Sequence, residues 1–219
     1  FKSCKSFSTP KRLVFIIEGT PKNIEKKGRS LKGPKVSAPE AALNGFIKSN
    51  NLNKSDIYKK EIEKGEFYFA DKKSEVIDIL KELQIIVPSV IKNYVWKKPM
   101  KWSNYDLNWS RPLRSIIALF DNKLINFDFF HLKSSDLTIV GEASDEKQKK
   151  VNNFKSYLNV LKTQNIVLDQ EKRKQIVTKK FRNICNTKNL KNSFNEKLIN
   201  EVINLVERPN VIVCKFNED

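Results

Sequence analysis

Residues 96–119 read WKKPMKWSNYDLNWSRPLRSIIAL, and this stretch decides the fold more than any other part of the chain. It contains all three Trp of the protein, together with two Pro and two Arg. Trp needs both a packing surface and a partner for its N–H group, and Arg presents a planar fork that matches phosphate or carboxylate. The stretch is therefore either the core-defining corner of a domain or part of a recognition surface.

The chain is strongly basic. Its 219 residues carry a formal net charge of +17, and the pI is about 9.7. Such an excess favours a polyanionic partner, with nucleic acid first, and predicts salt-sensitive binding. The alternative is a compositional origin, because an AT-biased coding sequence also produces abundant Lys, Asn and Ile. The length suffices for one large domain or two small ones with a buried core.

The sequence lacks the signals that identify several classes of protein. The chain has no run of 18 or more apolar residues and no apolar signal segment at its start, so we expect a cytoplasmic protein without a membrane span. Three dispersed Cys and one His do not form a zinc pattern. No P-loop, G-x-S-x-G or H-E-x-x-H motif occurs, and Asp106 and His131 are isolated acid–base candidates. We therefore predict no catalytic residue, cofactor or metal on this chain.

Strands are predicted at short apolar runs that are rich in β-branched and aromatic residues. Glu63-Lys64-Gly65 and Asp121-Asn122 are the turns of two predicted hairpins. Residues 20–38 are predicted as mainly loop, with one edge strand. The predicted strands are 13–17, 57–62, 66–70, 116–120, 124–130 and a closing strand at 211–216.

Helices are predicted where apolar residues recur at a spacing of three or four. The first begins at Pro39, and the second begins at Ser74 as the N-cap and is interrupted at Pro88. Beyond Gly141 the pattern predicts two helices through residues 151–184 and a third near 194–206. Mixed strands and helices without regular βαβ alternation indicate an α+β fold, with a mixed or antiparallel sheet and packed helices.

The predicted elements divide the chain unequally. Residues 1–145 form a strand-rich α+β part, and residues 146–219 form a mainly helical part that ends in a strand. We expect both parts to belong to one domain that is truncated at both ends, since the chain does not begin with Met.

The Trp-rich stretch at residues 96–119 also carries a family resemblance. Met100-Lys101-Trp102, Asp106 and Arg111-Pro112-Leu113-Arg114 precede an apolar run to Leu119. This order resembles the bacterial glycyl-tRNA synthetase beta subunit family. Four more regions are similar to that family in the same order, and they are Thr9–Leu13 with Glu18-Gly19, Lys32–Pro34, Lys64–Ala70 and Leu198–Pro209. The resemblance covers nearly the whole chain, roughly residues 8–218.

The resemblance implies an N-terminal fragment of a ligase subunit. In that family, two alpha and two beta subunits support the ATP-dependent attachment of glycine to tRNA(Gly). ATP and Mg²⁺ are used by the alpha subunit, whereas the beta subunit contributes tRNA binding and subunit assembly. The first part of the beta subunit resembles the editing-module type of fold in the phenylalanyl-tRNA synthetase beta subunit. The fragment itself is then expected to be non-catalytic.

Candidate tRNA-binding residues are the basic side chains around the Trp-rich stretch. They are Lys97, Lys98, Lys101, Arg111, Arg114 and Lys133. Pro112 fixes its own φ between the two Arg, which helps to hold their forks in defined directions. The structural alternative is that one Arg pairs with Asp106, and that the Trp rings pack in the core rather than stack on bases. Basic residues within 146–191 are either a solvated surface or a track for tRNA.

One loop departs from the family pattern. Lys133-Ser134 and Thr138 match, but Ile139-Val140-Gly141-Glu142-Ala143 replaces the segment that carries His and Arg in the family. Two other functions remain open. The chain could be a stand-alone basic RNA-binding module, or an editing domain that deacylates mischarged tRNA.

Overall fold

The computed structural model describes residues 1–102, 104–141, 144–191 and 193–215. These residues form two compact units. The smaller is Lys22–Glu82, and the larger joins Phe1–Pro21 to Leu83–Asp219. The division at residue 146 that we expected from the sequence stays a prediction.

Strands and helices alternate irregularly along the described residues. The helices are α1 (Glu40–Asn50), α2 (Ile79–Lys92), α3 (Phe154–Thr163), α4 (Gln170–Thr187) and α5 (Glu196–Val202), with a short 3₁₀ helix at Lys54–Asp56. The strands are β1 (Ser3–Thr9), β2 (Arg12–Glu18), β3 (Asn23–Lys26), β4 (Arg29–Lys35), β5 (Ile57–Ile62), β6 (Gly65–Lys72), β7 (Glu75–Asp78), β8 (Met100–Lys101), β9 (Asn108–Trp109), β10 (Ile116–Ile117), β11 (Leu119–Phe120), β12 (Lys123–Leu124), β13 (Asp128–Phe129), β14 (Leu132–Ser135), β15 (Leu137–Val140) and β16 (Lys147–Lys150).

The smaller unit consists of two antiparallel sheets and α1. One sheet has the order β4-β6-β5, and the other pairs β3 with β7. The predicted hairpin of β5 and β6 is confirmed, and Gly65 supplies the positive φ of 109° that its turn needs. α1 follows Pro39 with Glu40 in its first turn, as predicted. The prediction of mainly loop at 20–38 is wrong, because β3 and β4 lie there.

The predicted start of the second helix is also wrong. Residues 75–78 form β7, and α2 begins only at Ile79. The carboxylate of Asp78 accepts a hydrogen bond of 2.9 Å from the Leu80 amide, so Asp78 takes the capping role that we assigned to Ser74. Pro88 lies inside α2 and does not end it.

The larger unit begins with a hairpin. β1 and β2 pair antiparallel along all seven residues of each strand, which confirms the predicted strand at 13–17 and adds β1 to it. Phe7 and Val14 on one face of the hairpin pack against a buried cluster built from β15, α3 and the residues around them. That cluster contains Val140, Val151, Tyr157, Leu161, Ile166 and Leu168.

Short strands fill the middle of the larger unit. β11 and β12 form the second predicted hairpin, and Asp121 (φ 50°) and Asn122 (φ 61°) are its turn. The strands are shorter than predicted, because residues 116–120 are divided between β10 and β11. β10 pairs parallel with β14, whereas the other pairs in the described residues are antiparallel. The α+β class with small, mostly antiparallel sheets and packed helices is confirmed.

The C-terminal part is helical, with one exception at each end. β16 forms where we expected a helical region from residue 146, and it pairs with β15. α3, α4 and α5 confirm the three predicted helices, with the side chains of Asn153, Asp169 and Asn195 capping them. Residues 211–215 are not a strand, so that prediction is wrong there, and Phe216 lies outside the described residues.

Candidate nucleic-acid interface

The Trp-rich stretch forms a small aromatic corner in the larger unit. β8 and β9 pair antiparallel and place Met100 opposite Trp109. The indole N–H of Trp102 donates a hydrogen bond of 2.8 Å to the carbonyl oxygen of Trp109. The ring of Trp96 meets that of Trp109 edge to face at 4.9 Å, and Tyr94 meets Trp96 at 4.8 Å. The rings therefore pack on one another, which favours the structural role of the Trp residues over base stacking.

One polar atom in this corner has no hydrogen-bond partner among the described residues. Nε1 of Trp96 is buried and makes no hydrogen bond with the described residues. Buried Trp N–H groups are normally satisfied. The corner is thus packed, but it leaves one buried donor without an acceptor among the described residues.

Three predicted contact residues surround the corner. Lys97, Lys98 and Lys101 are exposed, and none forms an ion pair with a described residue. Their charges are therefore available to an anion in solution, as a phosphate contact requires.

Arg111 and Arg114 differ in their surroundings, although both are exposed. The two guanidinium nitrogens of Arg114 donate to the two carboxylate oxygens of Glu146 at 2.7 and 2.5 Å. These hydrogen bonds hold the pKa of Glu146 below its usual value and raise the pKa of Arg114. The alternative in which an Arg pairs with Asp106 is wrong for Arg114, whose carboxylate partner is Glu146. Arg111 forms no ion pair with a described residue, and its fork is available to a ligand.

Lys133 lies close to Arg114 in the pairing pattern, because β14 pairs parallel with β10 and Ser134 lies opposite Ile116, two residues after Arg114. Lys133 is exposed on β14, opposite Asp128 of β13. No hydrogen bond or ion pair joins any two of the six predicted contact residues in the described part of the chain. All six basic side chains are therefore exposed, and they do not contact one another through hydrogen bonds or ion pairs in the described part of the chain. In the divergent loop, Glu142 and Ala143 lie outside the described residues, while Thr138 before it is buried.

The two acid–base candidates do not form a catalytic pair. Nε2 of His131 lies 3.1 Å from the carbonyl oxygen of Leu113, and the imidazole stacks on Tyr105 at 4.7 Å. Asp106 is exposed and makes no recorded contact with His131. No group of three or more His, Cys, Asp or Glu among the described residues could hold a metal ion. A search of the same residues finds no helix that combines the length and apolar character of a membrane span.

The sequence did not assign a role to a polar junction between the two ends of the chain. Arg12 Nε lies 3.1 Å from Glu207 Oε1, and the Thr9 hydroxyl donates to the same carboxylate oxygen. Arg12 also donates to the carbonyl oxygen of Ile139 at 2.9 Å. Both ends had been noted as family-like motifs, and that was the available signal. Their junction is structural, because it holds the β1–β2 hairpin against the C-terminal segment.

A second missed residue is Arg173 of α4, which is completely buried. Its guanidinium donates hydrogen bonds of 2.8–3.0 Å to four carbonyl oxygens, which belong to Ser8, Val167, Leu168 and Ile203. Burial lowers the pKa of Arg173, and the nearby carboxylates of Glu207 and Asp169 oppose that change. Arg173 thereby ties β1, α4 and the end of α5 together.

The fold and this surface together define a class, namely a basic α+β module with an aromatic corner and exposed basic side chains around it. The family model described as glycyl-tRNA synthetase beta subunit matches residues 1–219. The chain belongs to that family.

Curated relatives agree with the family match. The glycine–tRNA ligase beta subunits of Rickettsia canadensis and Rickettsia typhi are each 34% identical over 216 residues, which is 99% of this chain and 32% of each relative. That of Rickettsia bellii is 35% identical over 214 residues, which is 98% of this chain and 32% of the relative. The chain therefore spans about a third of the length of the curated relatives that it matches.

Proposed function

We propose that this chain is part of the beta subunit of a glycine–tRNA ligase. Its role is to support the ATP-dependent attachment of glycine to tRNA(Gly) through tRNA binding and subunit assembly. The observation that carries the proposal is the family match over residues 1–219. The net charge of +17 gives independent support for a polyanionic partner.

The proposed division of labour places the chemistry on another subunit. ATP and Mg²⁺ act on the alpha subunit, and this chain contributes no catalytic residue. Among the described residues, no hydrogen bond or ion pair joins Asp106 to His131, which is consistent with that division. The proposed assembly is a cytoplasmic tetramer of two alpha and two beta subunits with tRNA(Gly). Exposed basic side chains at 97, 98, 101, 111, 114 and 133 are the proposed tRNA contacts, and Arg111 is the strongest of them because its guanidinium has no carboxylate partner among the described residues.

The test is reconstitution with an alpha subunit. The beta subunit containing this chain should co-purify with the alpha subunit and should restore glycine-dependent charging of tRNA(Gly). Arg111→Ala in that complex should raise the KM for tRNA and leave the KM for glycine and ATP unchanged. Failure to co-purify, together with no charging, would overturn the proposal.

A fold relationship to the editing module of the phenylalanyl-tRNA synthetase beta subunit remains part of the proposal. Such a relationship would include deacylation, and the lack of a hydrogen bond between Asp106 and His131 among the described residues counts against that reaction. Release of amino acid from mischarged tRNA by this chain, abolished by Asp106→Ala or His131→Ala, would establish that function instead. RNA binding that an alpha subunit does not alter would indicate a stand-alone RNA-binding module.

A further inference from the structure

A second basic site lies in the smaller unit, at residues that the sequence did not single out. β3 ends at Lys26, and β4 begins at Arg29, so Lys27-Gly28 is the turn between them. β6 ends at Lys72, and β7 begins at Glu75, so Lys73-Ser74 is the second turn. In the strand register, Lys26 of β3 lies opposite Glu75 of β7, and Arg29 of β4 lies opposite Lys72 of β6. The two turns therefore lie side by side.

Gly28 allows the two turns to approach closely. A Cβ atom at this position would lie 2.5 Å from the carbonyl oxygen of Lys72 and 3.1 Å from the amide nitrogen of Ser74. Real Cβ atoms do not approach backbone that closely, so a larger residue would force the turns apart. The arrangement of the turns is therefore fixed by backbone contact rather than by flexible side chains.

The turns enclose a cleft that we name the lysine corner. Its lining residues are Lys26, Lys27, Arg29, Lys72, Lys73 and Glu75. Five cations thus share the cleft with one carboxylate, and none of them forms an ion pair with a described residue. Elsewhere the chain does pair its lysines, for example Lys174 with Glu196 at 2.8 Å.

This concentration of charge works against folding. Arg29 and Lys72 occupy directly opposite positions of β4 and β6, and like charges at such positions are destabilising. The close turns bring Lys27 and Lys73 to the same cleft and add to the repulsion. Glu75, opposite Lys26 in the β3–β7 register, offsets part of this charge, and an anionic ligand would relieve the remaining repulsion.

The size and lining of the lysine corner select the kind of anion. Its volume of about 70 Å³ is far below the roughly 300–1,000 Å³ of pockets that enclose a whole small molecule. No aromatic ring lines it, so it offers no platform for stacking a base. A phosphate group on a larger polymer fits these limits, since it can enter the cleft while the polymer stays outside.

We propose that the lysine corner binds backbone phosphates of RNA. The inference rests on the proposed function, which makes tRNA the polyanion for this chain, and it adds a contact site in residues 22–82. Such a contact positions RNA without reading its sequence. Acidic protein segments are the competing ligand class, and the experiment separates them from RNA.

The experiment measures RNA affinity as a function of salt. A tRNA(Gly) transcript is titrated with the 219-residue chain and with the double variant Lys27→Ala/Lys73→Ala, whose altered side chains are exposed and lie in turns. The matched control is Lys59→Ala/Lys64→Ala, which removes the same charge from β5 and from the turn between β5 and β6. Lys27→Arg/Lys73→Arg keeps the charge, and circular dichroism confirms folding of every variant.

The corner variant should bind about tenfold more weakly at 0.1 M salt, and its log–log salt slope should fall by about 2. The control should lose clearly less, and the Arg variant should bind as the unaltered chain does. Equal losses in the corner and control variants would overturn the inference but leave the proposed function intact. Displacement of the RNA by poly-glutamate at equal charge concentration would also overturn it. No RNA binding by the unaltered chain would overturn the inference, whereas the reconstitution with the alpha subunit decides the proposed function.

Discussion

Arg173 shows how a single charged residue can organise the larger unit. Its side chain is fully buried and satisfies four backbone carbonyl oxygens from three parts of the chain. Carbonyls that lose a buried donor keep the cost of their desolvation, about 1–3 kcal/mol for each group. Arg173→Lys keeps the charge but cannot reproduce the planar fork. We expect this variant to lower the free energy of unfolding by about 3 kcal/mol or more.

Urea denaturation measures that loss. Arg182→Lys is the matched control, because Arg182 lies on the same helix, is exposed and makes a cation–π contact with the ring of Phe194 at 5.6 Å. The control should change the free energy of unfolding by less than about 1 kcal/mol. A similar effect of both substitutions would contradict the role assigned to Arg173.

The Arg114–Glu146 pair gives a prediction about pH. Hydrogen bonds from Arg114 are the main cause of the lowered pKa of Glu146, and charge attraction adds to them. A carboxyl group with a lowered pKa in the folded state contributes stability above its unfolded pKa. That contribution disappears as the pH falls through the lowered pKa of the folded state. The contribution is small, because the pair is in contact with solvent.

NMR titration of the Glu146 carboxyl carbon measures this shift directly. Arg114→Ala should move the pKa of Glu146 upward, and high salt should move it in the same direction by screening. Arg111→Ala is the control, because Arg111 makes no contact with Glu146, and it should leave the titration unchanged. An unaltered pKa in the Arg114 variant would show that the two side chains are not paired in solution.

Two glycines of the smaller unit differ in whether an added Cβ atom would collide with a neighbouring atom. Gly28→Ala would place a Cβ 2.5 Å from the Lys72 carbonyl oxygen, whereas a Cβ at Gly45 has no heavy atom within 4 Å. Gly28→Ala should destabilise the protein by about 1–3 kcal/mol. Gly45→Ala should stabilise α1 by about 0.5–1 kcal/mol, because Gly45 lies in the helix interior. Opposite signs in urea denaturation are the expected result, and equal signs would refute the contact at Gly28.

At the scale of elements, the start of α2 provides the sharpest test. The Asp78 carboxylate accepts a hydrogen bond from the Leu80 amide, and Ser74 lies before β7 and far from the helix end. Asp78→Ala should therefore cost about 0.5–2 kcal/mol, the usual value of an N-cap. Ser74→Ala should have no measurable effect. A larger loss for Ser74→Ala than for Asp78→Ala would restore the helix start that the sequence pattern predicted.

Elements whose partners are near in sequence were predictable. β5 with β6 and β11 with β12 are joined by short turns, and turn chemistry at Gly65 and Asp121-Asn122 identified both hairpins. β3 and β7 were missed because they pair across about fifty residues of chain. Neither strand shows a strong local pattern, and the apolar spacing at Val76, Ile77 and Leu80 suits a helix as well as a strand.

Prediction of the candidate site from the sequence has the same limit, because contacts between distant parts of the chain leave no local pattern. Its basic residues could be named from the sequence, since charge and the Trp-rich context are local properties. The sequence could not show which Arg is available to a ligand, because the partner of Arg114 is Glu146, 32 residues away. The lysine corner was missed for a related reason, as its lysines come together only through the pairing of β3 with β7 and β4 with β6.

At the scale of the whole molecule, charge and exposed apolar surface act in opposite directions. The net charge of +17 keeps copies of the chain apart at low ionic strength. Leu13, Phe15 and Ile17 lie on the outer face of β2 and are 46%, 62% and 60% exposed. Ile85 and Val90 of α2 are also more than half exposed, at 69% and 61%. Exposed apolar surface of this kind promotes association once repulsion is weakened.

We therefore expect salt-dependent self-association of the 219-residue chain. Raising the salt from about 0.05 to 0.5 M shortens the Debye length from roughly 14 to 4 Å and removes most of the repulsion between copies. The sedimentation coefficient should increase over this range. Phe15→Ser should suppress the increase, because it removes the most exposed side chain from the middle of the β2 face, while Ser6→Ala on the neighbouring strand should not. A monomer at every ionic strength, or an equal increase in the Phe15 variant, would show that this face does not drive association.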